Sequence, residues 1–228
     1  LKKAVISAHL VPDAVFVDPE LTLTVPAAVT AATGLDALAH CIEAYTNKFA
    51  HPLVDVYALE GIALCGRFLL RAVQSPADLE AREGMSLASL YGGLCLGPVN
   101  TAAGHAIAYP LGSEYHIAHG ISVALVQPHV FRFNAEATPD RHAAVARALG
   151  VPTCSNDLDT AHAGVAAIAR LTADCGIDSH LGNYAVPSER IPALAASAMT
   201  VQRLLQNNPR PVTEADCIAI YEACFGHE

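Results

Sequence analysis

A long segment almost without charge is the feature that most constrains how this chain folds. Between Gly84 and Phe131, 48 residues, the only Asp, Glu, Lys or Arg is Glu114, whereas the chain average of 15% would place about seven there. The same segment holds four of the eleven histidines. A segment that avoids charge is expected to be buried, and imidazoles inside it need partners.

A membrane span is one alternative for this segment. Its charge-free part, residues 84–113, exceeds the roughly 20 residues that a spanning helix needs. It contains several glycines and prolines as well as Asn100 and His105, and its flanks lack a Lys/Arg asymmetry and an aromatic belt. We therefore expect core helices of a soluble protein with no membrane partner. We also expect no secretion signal, because the N-terminus leads into only a short apolar patch.

Composition argues against two further classes of protein and suggests a compartment. The chain is 53% hydrophobic, which excludes intrinsic disorder. Its net charge is −9 and it has no basic run, so no nucleic-acid partner is expected. The seven cysteines form no C-x-x-C pair, which is typical of free thiols in a reducing environment and favours a cytoplasmic location.

Turn and capping signals predict an all-α fold with a short β stub at the N-terminus. Residues 4–18 carry β-branched side chains around a proline and predict two short strands. From residue 24 onward apolar residues recur at helical spacing. Ser75 and Thr213 have the pattern of helix N-caps, the latter as a capping box, and one helix is expected to end at Pro110.

Asp36 and His40 lie four residues apart on a predicted helix. Residues at i and i+4 share a helix face, so the carboxylate and the imidazole can point at one atom. Two interpretations are open at this point: a pair of metal ligands, or a hydrogen-bonded Asp–His pair without a metal.

His105 and His119 both lie in the charge-poor segment. Each could be a core histidine whose ring is satisfied by a backbone carbonyl. Together with Asp36 and His40 they would supply three neutral imidazoles and one carboxylate. That donor set suits a divalent first-row metal, Fe²⁺ or Zn²⁺, and leaves room for a substrate oxygen.

Two polar residues near His105 are candidates for the wall of this site. Tyr109 is four residues after His105, so it either lines the site or packs in the core. Asn100 lies in a loop that we expect to be buried, where it would bind substrate or cap the following helix. His116 and His129 have no evident partner and are assigned no role.

Five blocks of the sequence resemble the helical domain of the iron-containing (group III) alcohol dehydrogenases, in the same order along nearly the whole chain. They are DPELTLTVP (18–26), TGLDALAHCIEAY (33–45), NTAAGHAIAYPLG (100–112), HGISVALVQPHVFRFN (119–134) and NNPRPVT (207–213). The resemblance implies the helical metal-binding domain of the dehydroquinate synthase-like fold.

The resemblance also implies a ligand set and an activity. The family's metal ligands are an Asp and a His four apart, then two His fourteen apart, which here implies Asp36, His40, His105 and His119. The implied activity is NAD(P)-linked interconversion of a small alcohol and an aldehyde or ketone. The metal would act as a Lewis acid and no covalent catalytic residue is needed.

Further residues are placed in the pocket by the same resemblance. Many members carry a second His four residues after the third ligand, near the nicotinamide, and this chain has Tyr109 there. Leu96 and Leu204 fall at substrate-pocket positions, which implies an apolar wall. With Asn100 they complete the predicted substrate- and cofactor-lining set.

The family has an N-terminal nucleotide-binding domain with a Gly-rich phosphate loop, and no such loop occurs in this sequence. We therefore expect residues 1–20 to be residual strands of a missing N-terminal domain and residues 21–228 to be the helical metal-binding domain. The fragment alone is expected to be inactive, and the intact protein to be a homodimer. The alternatives are a dehydroquinate synthase-like or glycerol dehydrogenase-like metalloenzyme, or a catalytically incomplete metal-binding helical domain.

Overall fold

A computed structural model describes residues 7–226 of the chain. Within that range every regular element is helical and no strand is present, which confirms the all-α class. The α-helices are α1 Ala27–Tyr45, α2 Pro52–Gln74, α3 Leu79–Leu96, α4 Ala103–Tyr115, α5 His119–Ala135, α6 Pro139–Ala148, α7 Asp157–Asp174, α8 Ile191–Met199, α9 Gln202–Leu205 and α10 Glu214–Ala223.

The strands predicted in residues 4–18 are wrong for the part of that segment that the structure describes. Ala8–Leu10 form a 3-10 turn, and residues 11–18 have no helix or strand. Residues 4–6 lie outside the described residues. Val15 and Phe16 are exposed to solvent. β-Branched composition favours a strand only where a neighbouring strand accepts its hydrogen bonds, and the described residues offer none.

Side-chain caps set where two helices begin. Thr213 accepts a hydrogen bond from the Asp216 N–H while the Asp216 carboxylate accepts one from the Thr213 N–H, so the predicted capping box is confirmed. The predicted cap at Ser75 is wrong. Asp78 caps α3 instead, because its carboxylate accepts from the Ala81 N–H.

Pro110 lies inside α4 and does not end it, contrary to the prediction. A proline in a helix interior removes one backbone hydrogen bond and costs about 3 kcal/mol. Pro110 and the following Leu111 are both buried, and burying a leucine side chain recovers roughly 1.5–3 kcal/mol. The helix therefore continues to Tyr115 and ends at His116, which has the left-handed conformation with φ 56°.

Two apolar cores share α5. The first core is formed mainly by α1, α2, α3 and the α6–α7 pair, and α5 contributes Ala124 and Phe131 to it. The second lies among α4, α5, α8, α9 and α10, and Leu125 and Val130 of α5 are part of it. The helices α1, α4 and α5 meet where the two cores adjoin. Three of the four histidines of the charge-poor segment lie on α4 and α5, and His116 follows the end of α4.

The charge-poor segment is largely buried, as its composition predicted. Residues 101–108 and 122–128 are all buried, whereas Glu114, its one charged residue, is exposed. Within the described range no helix combines the length and the apolarity that crossing a membrane requires.

His142 on α6 makes stability depend on pH. Its ring is buried edge-on against Phe131, and Nδ1 lies 2.8 Å from the Thr138 carbonyl oxygen. Burial lowers the pKa of His142 to about 4 from its ordinary 6.5. Because the unfolded chain binds this proton more readily, the stabilising effect is complete above pH 6.5. It is lost as the pH falls toward 4, by about 3 kcal/mol in all.

We expect the substitution His142→Gln to remove this loss. The difference in free energy of unfolding between the parent and the variant should narrow by about 2 kcal/mol between pH 7 and pH 4.5, measured by urea denaturation. The control is His9→Gln, which replaces an exposed histidine by the same residue. A pH-independent difference for His142→Gln would contradict the assignment.

Candidate metal centre

Asp36 and His40 project from the same face of α1 in the middle of its buried length. The Nε2 atom of His40 lies 3.8 Å from Oδ1 of Asp36. The i, i+4 spacing thus places both donors at one point, as the sequence predicted.

His105 of α4 and His119 of α5 approach the same carboxylate oxygen. Their Nε2 atoms lie 3.3 and 3.6 Å from Oδ1 of Asp36. The rings of His40 and His105 stack with centroids 4.8 Å apart, and those of His105 and His119 are tilted with centroids 5.4 Å apart. The structure therefore brings together all four residues predicted as ligands.

The spacing of these donors suits a metal ion. A tetrahedral ion about 2.1 Å from each ligand holds its donors about 3.4 Å apart, close to the 3.3–3.8 Å measured around Asp36 Oδ1. Donor atoms of Asp36, His40 and His105 all lie within 4.8 Å of one another. Moreover, Asp36 Oδ1 and His105 Nε2 are buried without a hydrogen-bond partner, a costly arrangement that a bound cation would relieve.

The site is closed on one side and open on the other. The His105 side chain is 3% exposed, Asp36 and His40 are 19% and 21% exposed, and His119 is 34% exposed. A group approaching from solvent would therefore enter beside His119.

Burial and neighbouring charges shift the pKa values of three of the four groups, each in its own way. Burial opposes ionisation of Asp36, but the imidazoles of His105 and its neighbours outweigh it and lower the pKa of Asp36. Burial, reinforced by His105, lowers the pKa of His40 to about 4, so its ring is neutral at pH 7. Burial is outweighed at His105, where Glu43 and Asp36 raise the pKa to about 9. Binding of a metal at His105 would therefore be coupled to proton release.

Glu43 is a member of this cluster that the sequence analysis did not assign. Its buried carboxylate accepts hydrogen bonds from the backbone N–H groups of Ala102 and His105, and Oε2 lies 3.1 Å from Nδ1 of the His105 ring. One feature of the sequence could have indicated Glu43: it lies seven residues after Asp36 and therefore on the same face of α1.

Gly120 lets α5 approach α1 closely enough for His119 to reach Asp36. A Cβ atom at Gly120 would overlap the backbone carbonyl of Ala32 on α1. Because the obstacle is backbone and not the end of a flexible side chain, a larger residue there would push the two helices apart.

The predicted lining residues occupy different surroundings. Tyr109 is half-buried, with its ring centroid 6.0 Å from that of His119. Burial raises the pKa of its hydroxyl against the opposing effect of Arg203, a hydrogen-bond partner that the sequence did not reveal. Leu96 is half-buried at the end of α3, and Leu204 is fully buried in the second core.

Asn100 does not cap α4. The N-cap of α4 is Ala102, and the side-chain oxygen of Asn100 accepts from the Thr101 N–H instead. Its backbone φ of 77° is in the left-handed region, which asparagine tolerates better than most residues. Contact of Asn100, Tyr109, Leu96 or Leu204 with a substrate stays a prediction.

Comparison with known proteins bears on the origin of this arrangement. Residues 30–225 match the C-terminal part of the Fe-containing alcohol dehydrogenase family. The chain belongs to this family. It is 39% identical over 225 residues to long-chain-alcohol dehydrogenase 1 of Geobacillus thermodenitrificans. The aligned region makes up 98% of this chain and 57% of the relative.

One further curated relative and one solved structure are also similar to this chain. The 1,3-propanediol dehydrogenase of Klebsiella pneumoniae is 38% identical over 226 residues, 99% of this chain and 58% of that enzyme. The crystal structure of a 1,3-propanediol oxidoreductase superposes with a TM-score of 0.89 at 39% identity, covering 91% of this chain and 55% of that one. The chain thus spans a little over half the length of these family members, and the resemblance stated from the sequence blocks is confirmed.

A substitution at Gly120 tests whether the close approach of α5 to α1 positions His119. We expect Gly120→Ala to separate α5 from α1, lowering the free energy of unfolding by about 1–3 kcal/mol and weakening metal binding. Chemical denaturation and titration with Co²⁺ measure the two effects.

The matched control is Gly93→Ala on α3, where a Cβ would meet nothing within 4 Å. This substitution should leave metal affinity unchanged and stabilise the helix by about 0.5–1 kcal/mol. Equal metal affinity in the two variants would show that the close approach does not position His119.

Proposed function

We propose that this chain is the metal-binding domain of a metal-dependent alcohol dehydrogenase. The reaction is the NAD(P)-linked interconversion of a small alcohol and an aldehyde or ketone. One observation carries the proposal: a single carboxylate oxygen faces three imidazole Nε2 atoms at 3.3–3.8 Å. Two of these four donor atoms are buried without a hydrogen bond. Membership of the iron-containing family agrees with it.

Each proposed ligand contributes differently to binding a cation. Asp36 contributes the negative charge, and its lowered pKa keeps it ionised at neutral pH. His40 is neutral and offers a lone pair. His105 and His119 complete the set from two other helices. When bound, Fe²⁺ or Zn²⁺ would supply Lewis acidity toward the carbonyl group of the substrate.

The surroundings of the ligands would orient the substrate and keep water away. Leu204 is fully buried in the second core. Tyr109 lies beside His119, with ring centroids 6.0 Å apart, and the raised pKa of its hydroxyl keeps that group protonated. A half-buried hydroxyl beside the exposed side of the proposed metal site is suited to orienting a small alcohol or aldehyde. The exposure of His119 favours a site open to substrate over a metal that only stabilises the fold.

A nucleotide-binding domain outside these 228 residues would supply the NAD(P) site. The matched region makes up only 57% and 58% of two relatives, and hydride transfer is the chemistry of the nicotinamide itself. Exposed apolar side chains in the N-terminal segment support a covering partner there; they are Leu10, Val11, Val15, Phe16 and Leu21. Residues 1–20 would then belong with that domain and residues 21–228 with the metal.

We place the intact enzyme in the cytoplasm as a homodimer. Every cysteine is free, six of the seven are buried, and free thiols persist in a reducing compartment. The dimer rests on the resemblance to the family alone.

The metal proposal is tested with His40→Ala. We expect the purified protein to bind one equivalent of Fe²⁺, Zn²⁺ or Co²⁺, and the variant to lose at least about 100-fold in affinity with an unchanged helical circular dichroism spectrum. His9→Ala at the exposed N-terminal turn is the matched control. Stoichiometric binding by His40→Ala would remove the basis of the proposed function.

The activity is tested by fusing the chain to the part of the Klebsiella pneumoniae relative that it does not match, where we expect the nucleotide-binding domain. The fusion, stripped with a chelator and reloaded with Fe²⁺ or Zn²⁺, should oxidise NADH in the presence of a small aldehyde. The same fusion carrying His40→Ala should not. The 228 residues alone are expected to show no turnover, and turnover by them would overturn the division into two domains.

A further inference from the structure

Glu43 is not one of the four donors that face each other around Asp36 Oδ1, yet it makes three buried hydrogen bonds beside them. Two of these join it to the ligand candidate His105 and one to the backbone N–H of Ala102. We propose that Glu43 is the positioning residue of the metal centre: it fixes the tautomer of His105 and fixes helix α4 against helix α1. The inference rests on the proposed function, since it concerns the metal that His105 would hold.

The first role follows from the ring contact. Oε2 of Glu43 lies 3.1 Å from Nδ1 of His105, and both side chains are buried. A carboxylate can only accept, so Nδ1 must carry the hydrogen and donate it. In the neutral ring the lone pair then resides on Nε2, the atom that faces Asp36 Oδ1 at 3.3 Å. A carboxylate behind a metal-binding histidine orients the ring and increases its basicity.

The second role follows from the two backbone contacts. The N-cap residue of α4, Ala102, has no side chain able to cap the helix. Glu43 caps it from another helix, accepting from the Ala102 and His105 N–H groups. A negative charge at a helix N-terminus is stabilising as well. One side chain on α1 therefore sets the position of α4 relative to the helix that carries Asp36 and His40.

Gly104 makes room for this carboxylate. A Cβ atom at position 104 would overlap Oε1 of Glu43 and crowd Gln127 of α5. The close approach of Glu43 to α4 thus depends on a glycine at position 104, directly before His105.

Only an ionised carboxylate satisfies all three donors. Oε1 faces the His105 N–H, and Oε2 faces both the Ala102 N–H and Nδ1. An amide at position 43 would turn its NH₂ group toward at least one backbone N–H in either orientation. With the NH₂ group at the Oε2 position, Nδ1 would have to accept, and the hydrogen would move to Nε2, where it blocks metal binding.

The test compares Glu43→Gln with Tyr221→Phe. Tyr221 donates a hydrogen bond from α10 to the Ile107 carbonyl of α4 and is not in contact with a ligand in the hydrogen bonds described. Its loss destabilises the same helix without changing the His105 ring. Both variants are titrated with Co²⁺, and the visible absorption spectrum of the bound ion is recorded.

We expect Glu43→Gln to weaken Co²⁺ binding by about 10–100-fold and to alter the spectrum of the bound ion. Tyr221→Phe should keep the Co²⁺ affinity and spectrum of the parent protein, even if its melting temperature falls as far as that of Glu43→Gln.

The outcomes separate this inference from the proposed function. Failure of the parent protein to bind Co²⁺ would refute the metal centre itself. Binding by the parent, with unchanged affinity and spectrum in Glu43→Gln, would refute the positioning role of Glu43 alone. Equal weakening in Glu43→Gln and Tyr221→Phe would also refute it, because a general loosening of α4 would then explain both.

Discussion

The burial of the Asp36 carboxylate among three imidazoles is the constraint to which the surrounding helices conform. An ionised carboxylate is costly to bury without partners, and its partners here come from α1, α4 and α5. These helices must therefore meet at one point, although they belong to two different apolar cores. Gly120 permits the contact between α5 and α1, and Glu43 joins α4 to α1. The cores supply most of the stability, while the polar cluster sets the relative positions of the helices.

Helical periodicity and composition predicted the class of the fold and the burial of the charge-poor segment. The i, i+4 spacing also predicted that Asp36 and His40 act together, because that relation is local. The convergence of His105 and His119 is not local: the residues alone left it open, and the resemblance to the family implied it. Glu43 and Arg203 were missed because their partners are distant along the chain: His105 is 62 residues from Glu43, and Arg203 contacts Tyr109 from another helix.

Two of the errors followed a local propensity that tertiary surroundings overrode, and a third chose the wrong one of two nearby capping residues. Residues 11–18 have the composition of a strand but no described neighbour to pair with. Pro110 is a helix breaker that remains inside α4 because its surroundings are buried and apolar. Ser75 is a good cap by type, but Asp78 lies where the free N–H group of Ala81 needs an acceptor. By contrast, the Thr213 capping box is complete within four residues, and it formed as predicted.

The unequal exposure of the ligands bears on how a cation would leave. His105 is shielded by protein and tied through Glu43, whereas His119 is the most exposed of the four and lies at the start of its helix. The side facing His119 would therefore be where a competing chelator reaches the ion. The first turn of α5 would set access to the site, and α4, held by Glu43, would shield its buried end.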